Sequence, residues 1–312
     1  MFDLLFSMTL CSMLIVHHAH AQTYDGLDKV EINSSESTGE NQHRSRNEFA
    51  HIDSRREVDS FVIRSGKKSL TFPYSRIGMF TFTLDGGKVS RCTAFLVSPT
   101  VALTAAHCVF SCDESGKNCK RFANGRVEFG RFTQNVGVGS SAKLGAWANC
   151  VVPVQDAQAS ISFMTYPRDR QFDYAALYFP KTVDVFKKCR FDPLHLPIEY
   201  DALGKYGATI QYAQIVGYPT HVPATIGNQI PRSSQFEGVG TAQIINGMLQ
   251  HQIPTTPGNS GGPIFKMAWN GRAYYQVIIG ITSGGYWASY NEDVVFGRKN
   301  QDEIKKLIAK GN

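Results

Sequence analysis

The chain has 312 residues, 28 glycines, 42% apolar residues and a formal net charge of +6, which allows one large or two small domains with an ample core. The charge is uneven, because residues 57–312 carry 27 basic against 18 acidic side chains, a net +9. That balance suits acidic substrates or anionic surfaces but is more commonly a solubility feature. No Lys/Arg block is dense enough to point to nucleic acid, so no nucleic-acid partner is expected.

Residues 4–16 form an apolar run of thirteen, too short to span a bilayer. Ala19-His20-Ala21 follows as a small-residue cleavage site, so residues 1–21 read as a secretory signal peptide with a new terminus at Gln22. The n-region departs from the usual pattern, with Asp3 and no Lys or Arg. No later run reaches the ~18 apolar residues of a membrane helix, so a secreted, extracellular protein without a membrane partner is expected. Residues 22–60 are polar and cannot bury enough surface to fold alone. They contain the sequon Asn33-Ser34-Ser35 and the dibasic pair Arg55-Arg56. Residues 22–56 therefore read either as a propeptide cut after Arg56 or as an uncleaved polar tail.

From residue 72 the pattern changes to short β-rich runs broken by turns. Strands are predicted over 77–84, 93–97, 101–104, 126–129, 150–154 and 174–179, then over 209–216, 238–245, 248–253, 263–266 and 274–282. Asp85-Gly86-Gly87 is a hairpin signal. Many strands without intervening helices argue an all-β fold rather than a parallel α/β one. Only residues 301–310 look clearly helical, with Ile304, Leu307 and Ile308 on one face.

Seven cysteines are present, and Cys11 leaves with the signal peptide. The other six, Cys92, Cys108, Cys112, Cys119, Cys150 and Cys189, are even in number, as a disulfide framework in an exported protein requires. Six cysteines allow fifteen pairings, so the count alone does not choose among them. No paired C-x-x-C spacing points to zinc, and no metal or cofactor motif is found.

Three stretches carry chemistry. Residues 252–265, Gln-Ile-Pro-Thr-Thr-Pro-Gly-Asn-Ser-Gly-Gly-Pro-Ile-Phe, set Ser260 among three glycines in a tight turn. Gly258 allows a sharp turn, and the N–H groups of Gly258 and Ser260, with Asn259 as a further candidate, suit an anion-binding nest. A hydroxyl beside such a nest provides a nucleophile and a site for the oxyanion it creates. The plain alternative is a Gly/Pro-rich surface turn. Upstream, Thr104-Ala105-Ala106-His107-Cys108 places a histidine after a strand. Asp173 enters the apolar run 174–179, where a buried carboxylate needs a partner. Among the aspartates between His107 and Ser260, Asp169 and then Asp156 are the runners-up. His195, His221 and His251 read as surface or pocket-facing histidines rather than as the base, with His251 alternating out of an apolar strand.

The order His, Asp, Ser, together with T-A-A-H-C, D-Y-A-A-L, the G-Y-P of 217–219, T-T-P-G-N-S-G-G-P and G-I-T-S-G-G, resembles the chymotrypsin-fold serine proteases. Within them it is most similar to the V8-type, glutamyl endopeptidase-like branch, over about residues 72–297. The resemblance implies two six-stranded antiparallel β-barrels, at about 72–195 and 196–297, with a C-terminal helix. It implies His107, Asp173 and Ser260 as catalytic residues, Gly258 and Ser260 as oxyanion hole, and a monomer acting on protein or peptide substrates without a cofactor. It also supports a Cys92–Cys108 disulfide; by proximity Cys112–Cys119 would follow, leaving Cys150–Cys189.

Arg76-Ile77-Gly78 looks like a trypsin-type activation site, but the partner aspartate before the serine is replaced by Asn259, and Ile77 lies too close to Cys92. For specificity, Thr255, Thr282, Ser283 and Gly284 are the implied substrate-binding residues. Pro254 stands where the trypsin branch has its aspartate, which disfavours cleavage after Lys or Arg. Thr282 stands where glutamyl endopeptidases carry a histidine, although Thr255 matches their threonine. A small or polar uncharged residue before the cut is the expectation, with Ser283 and Gly284 offering backbone hydrogen bonds to an extended peptide. The rival from another class is a non-catalytic homologue acting as a binding or adaptor protein; an esterase is a third reading. An α/β-hydrolase is excluded by chain order.

Overall fold

A computed structural model describes residues 56–57, 72–84, 87–112, 119–136, 143–147, 150–165, 169–220, 235–284 and 290–312. The expected signal peptide with Cys11, the sequon at Asn33, the body of the expected propeptide, Asp113 and His221 lie outside them.

In chain order the strands are β1 (Arg56–Glu57), β2 (Ile77–Thr83), β3 (Val89–Ser98), β4 (Val101–Thr104), β5 (Phe110–Cys112) and β6 (Cys119–Arg121). Next come β7 (Ala123–Phe129), β8 (Phe132–Val136), β9 (Lys143–Trp147), β10 (Cys150–Pro153), β11 (Asp156–Ala159) and β12 (Ala175–Tyr178). The last six are β13 (Thr209–Gly217), β14 (Phe236–Ile245), β15 (Met248–His251), β16 (Pro263–Trp269), β17 (Tyr274–Ile281) and β18 (Asn291–Val295). Four α-helices accompany them: α1 (Ile161–Met164), α2 (Val185–Cys189), α3 (Ala202–Tyr206) and α4 (Gln301–Gly311). The three short ones leave no signal in the hydrophobic period, being a turn or so each. Among the described residues no helix is long and apolar enough to cross a membrane.

Fourteen of these strands form two antiparallel seven-stranded sheets, while β5–β6 and β8–β9 pair as separate two-stranded ladders. The first runs β10-β7-β2-β3-β4-β12-β11 and is curled. The second runs β1-β14-β13-β16-β17-β18-β15 and closes through a further β14–β15 pairing. Each carries one strand beyond the six expected: β11 at one edge and the two-residue β1 at the other. Hairpin chemistry sets the registers. Leu84 N–H donates to Lys88 O at 2.9 Å between β2 and β3, and Asp85 and Gly86 of the expected hairpin lie outside the described residues. Asn246 and Gly247, both at positive φ (51° and 78°), link Ile245 to its partner Met248, the two-residue turn that suits the twist of paired strands.

Side chains that alternate off these strands fill the interior. Phe80, Phe95, Val127, Phe129, Val152 and Leu177 are fully or almost fully buried in the first core; Ile210, Ile215, Leu249, Ile264 and Ile279 occupy the second. The Cys150–Cys189 disulfide ties β10 to α2, and β5 and β6 set Cys112 opposite Cys119.

Two polar clamps fasten segments that a sheet ladder does not hold. Arg76 is buried (1% exposed), stacks over Phe191 at 4.4 Å and donates to the carbonyls of Asp192 and Leu194. Ile77, next to it, is fully buried at the head of β2, so the Arg76–Ile77 bond is closed to a protease. Glu303 on α4 accepts from Tyr174 OH (2.6 Å), Ser160 Oγ (2.9 Å) and Ile161 N–H (2.8 Å). Its carboxylate docks the helix against the segment next to Asp173, and burial with that hydrogen bond pushes the Tyr174 hydroxyl well above the ordinary phenol range. Glu303→Ala leaves three donors without their acceptor and is expected to cost about 2–4 kcal/mol in urea unfolding, whereas Asp302→Ala on the exposed face stays within about 0.5 kcal/mol.

Candidate active site

β4 delivers the chain to Ala105, after which a single 3-10 turn (Ala106–Cys108) presents His107. Ala105 and Ala106 are fully buried; larger side chains would push the turn off the core. The Cys92–Cys108 disulfide fixes the far end of this turn to β3. On the other side a 3-10 turn over Arg170–Phe172 leads into Asp173 and β12. Asp169 caps that turn by accepting from Gln171 N–H at 3.0 Å, and Asp156 pairs with Arg121 at the surface. Neither runner-up lies against His107 in these contacts.

Asp173 does. Its Oδ1 accepts the His107 backbone N–H at 2.9 Å and its Oδ2 lies 2.7 Å from His107 Nδ1. One carboxylate thus fixes both the backbone and the ring of the same residue. The proton sits on Nδ1, and Nε2 is left as the free lone pair on a ring that is 37% exposed. Asp173 is buried (4% exposed) and also accepts from Ser283 Oγ. Burial works against the imidazolium of His107, but the Asp173 charge and hydrogen bond outweigh it and raise the pKa above the ordinary value. Arg170 opposes this shift and Asp293 assists it. For Asp173, burial favours the protonated acid, yet the charge and hydrogen bond of His107, with the bond from Ser283, hold its pKa below the usual carboxylate range.

The Ser260 loop belongs to the second sheet but is held by the first. Thr93 on β3, fully buried, donates its N–H to Ser260 O (2.7 Å) and its hydroxyl to Gly258 O (2.7 Å) while accepting Tyr218 N–H (2.9 Å). Within the loop, Pro257 O accepts Thr220 N–H (2.7 Å), Asn259 O accepts Gly262 N–H (2.9 Å) and Asn259 N–H goes to Thr256 O (3.1 Å). In a planar trans peptide the N–H points opposite to the preceding carbonyl. The N–H groups of Gly258 and Ser260 therefore face away from Thr220 and Gly262, toward the other side of the loop. Asn259 N–H is spent internally on Thr256 O, which removes it from the candidate donors. Gly258 and Gly261 take φ of +99° and +85°, a region costly for any residue with a Cβ. Cys108 Sγ lies 3.8 Å from Ser260 O, which sets the serine loop beside the His107 turn.

The implied substrate-binding residues fare differently. Thr282 is buried, and its Oγ1 has no hydrogen-bond partner among the described residues. Its backbone brackets the serine loop through Gly261 N–H to Thr282 O (2.6 Å) and Thr282 N–H to Gly262 O (2.8 Å). Thr255 is half-buried. The N–H groups of Ser283 and Gly284 are not free for a peptide: both donate to Asp293 Oδ1, at 2.8 and 2.9 Å. Gly284 O is taken by Arg170 (2.7 Å). That corrects the strand-addition expectation for these groups, because a buried carboxylate claims the donors first. His251 is corrected too. It is 3% exposed and bonded through Nε2 to Asp293 (2.7 Å), rather than facing solvent or a pocket. The group Cys92, His107 and Cys108 has metal-ligand spacing, but both sulfurs are committed to the disulfide.

The family model of the trypsin-like peptidase domain matches residues 92–271, more than half of the chain. The chain belongs to the trypsin-like peptidase family. Among solved structures it is similar to a Glu endopeptidase in complex with MPD, at 20% identity and TM-score 0.57, over 83% of this chain and 98% of that one. The thermostable serine protease AL20 from an extremophilic microorganism matches at 19% identity and TM-score 0.53, over 74% and 96%. The protease Anisep from Arthrobacter nicotinovorans matches at 19% and 0.52, over 75% and 96%. These likenesses establish the chymotrypsin-like fold. No curated protein sequence matches this chain.

Gly261 offers a sharp test of the loop. A Cβ there would overlap Thr93 O and Thr104 Oγ1 in addition to carrying a strained φ. Gly261→Ala is expected to lose about 3 kcal/mol or more of stability, read by thermal unfolding, whereas Gly271→Ala, with open space around it, loses only the cost of its positive φ.

Proposed function

We propose that the chain is a secreted serine endopeptidase that hydrolyses peptide bonds through an acyl-enzyme. The observation that carries this reading is the double clamp of Asp173 on His107, which leaves Nε2 directed away as a base. Ser260 is the nucleophile. His107 Nε2 takes its proton as Oγ attacks the carbonyl and returns it to the leaving amine. Asp173 holds the tautomer and stabilises the imidazolium. The Gly258 and Ser260 N–H groups receive the oxyanion, an arrangement worth about 2.7–4 kcal/mol per donor. Water then repeats the cycle on the ester.

The disulfides support an oxidising compartment and hence secretion. Residues 1–21 are the signal peptide and 22–56 the propeptide in this reading. Arg56 and Glu57 pair with Glu237 and Phe236 of β14, so a processing enzyme reaches the bond between them only when that two-residue strand lifts. The buried Arg76–Ile77 bond supports activation by a route other than a cut there. Thr282 in place of a histidine and Pro254 in place of an aspartate support cleavage after small or polar uncharged residues, with Thr255 on the same wall.

The deciding measurement is cleavage-site profiling of the chain from Glu57 on a diverse peptide mixture, with Ser260→Ala alongside. Cuts present in the first and absent in the second support the reading, and the residue before each cut gives the specificity. Folded protein that cuts nothing points to a binding homologue, and hydrolysis of esters alone to an esterase. Ser260→Ala is expected to lose about 10⁶ in kcat and Asp173→Asn about 10⁴. The base works neutral, so kcat/KM rises with pH through the His107 ionisation. Because that pKa is raised, the acid limb falls above the ordinary histidine value of about 6.5.

A further inference from the structure

Behind the His107–Asp173 pair lies a second histidine–aspartate pair that the proposed mechanism does not use. His251 and Asp293 are both fully buried side chains, 2.7 Å apart between Nε2 and Oδ2. The charge state follows from the partners. His251 Nδ1 accepts the N–H of Ile253 at 3.1 Å, so it carries no proton; the ring is neutral and its Nε2–H donates to Asp293. The Asp293 carboxyl group is met by three N–H groups, those of His251 Nε2, Ser283 N and Gly284 N.

The two pairs are joined by one residue. Ser283 gives its N–H to Asp293 Oδ1 and its hydroxyl to Asp173 Oδ2, so the chain of contacts runs from Ile253 through His251, Asp293, Ser283 and Asp173 to His107. A carboxyl group this far from water needs its donors in place; the converse is that Asp293 holds the Ser283–Gly284 backbone in one position. The charged groups around His107 are Asp173, Asp293 and Arg170, and Arg170 is engaged with Glu292 (3.4 Å) and Gly284 O. Glu292 in turn accepts from Gln250 (2.9 Å).

We propose that Asp293, oriented by His251, is a positioning residue for the peptidase reaction, fixing Ser283 so that its hydroxyl holds Asp173 against His107. The proposal rests on the catalytic reading of His107, Asp173 and Ser260. Asp293 acts through the backbone of Ser283 and touches no substrate. It also adds negative charge on the side of the imidazolium, in the direction that favours it. Because the working base is neutral before reaction and becomes imidazolium as it takes the proton, loss of this support falls on kcat more than on KM.

The test compares the wild-type chain from Glu57 with its Asp293→Asn, His251→Gln and His251→Leu variants, by peptide kinetics across pH and by NMR titration of the His107 ring. Asp293→Asn is expected to lose up to about a hundredfold in kcat, the scale of a displaced catalytic group. The acid limb and the His107 titration both move to lower pH, since an anion that favours the imidazolium is gone. His251→Gln keeps a donor to Asp293 and stays near wild type; His251→Leu follows Asp293→Asn. Folded Asp293→Asn with unchanged kcat and an unchanged His107 titration overturns the proposal. If Asp293→Asn does not fold, equal kinetics and titration for His251→Gln and His251→Leu overturn it instead. Should wild type cut no peptide, the catalytic reading fails separately, and the NMR titration still decides whether Asp293 acts on His107.

Discussion

The carboxylate of Asp173 is the constraint around which the site is built. A charge buried to 4% exposure is tolerated only when donors meet it from several sides, and here they come from two distant parts of the chain. The 3-10 turn brings the backbone and ring of His107, and β17 runs out into Ser283. The same contacts that relieve the burial also fix which imidazole nitrogen is free. Stability and reactivity are thus two readings of one set of hydrogen bonds. The sign of the shift agrees: Asp173, held low, contributes stability above the ordinary aspartate range, and that contribution is lost as pH falls through its own lowered value.

The other half of the site is held by a neighbouring pair on β3. Cys92 is bonded to Cys108, beside His107, and Thr93 carries the carbonyls of Gly258 and Ser260. Two successive residues of one strand, pointing to opposite faces as a strand requires, therefore locate the histidine turn and the serine loop relative to each other. Removing the Cys92–Cys108 bond frees a loop of 16 residues, the scale at which a disulfide contributes about 3 kcal/mol.

Much of this is legible from the residues. β4 matches its predicted bounds, and β2, β12, β13 and β17 differ by one or two residues at their ends, because their apolar runs are continuous and bounded by turn chemistry. The motif residues His107 and Asp173 come together, and Ser260 lies beside them. What escapes the sequence is long-range and polar. β18 carries no strand signal because Asn291-Glu292-Asp293 looks like a loop; only the pairing with β15 and β17 makes it a strand. Alternation puts His251 on the wrong face because β15 is buried along most of its length, between β14 and β18. The Ser283 hydroxyl meets Asp173 across 110 residues, and no local pattern encodes such a contact. In the serine loop, the loss of Asn259 N–H to Thr256 O becomes visible only once the turn is in place.

Thr93 makes the site depend on both sheets. It belongs to the sheet that carries His107 and Asp173, yet it bonds the loop that carries Ser260. Neither sheet, however well formed by itself, completes the serine loop, and Ser283 repeats the dependence in the other direction. The contacts that complete the serine loop and hold Asp173 therefore exist only where the two sheets meet, so the site is a property of their junction and of neither sheet alone.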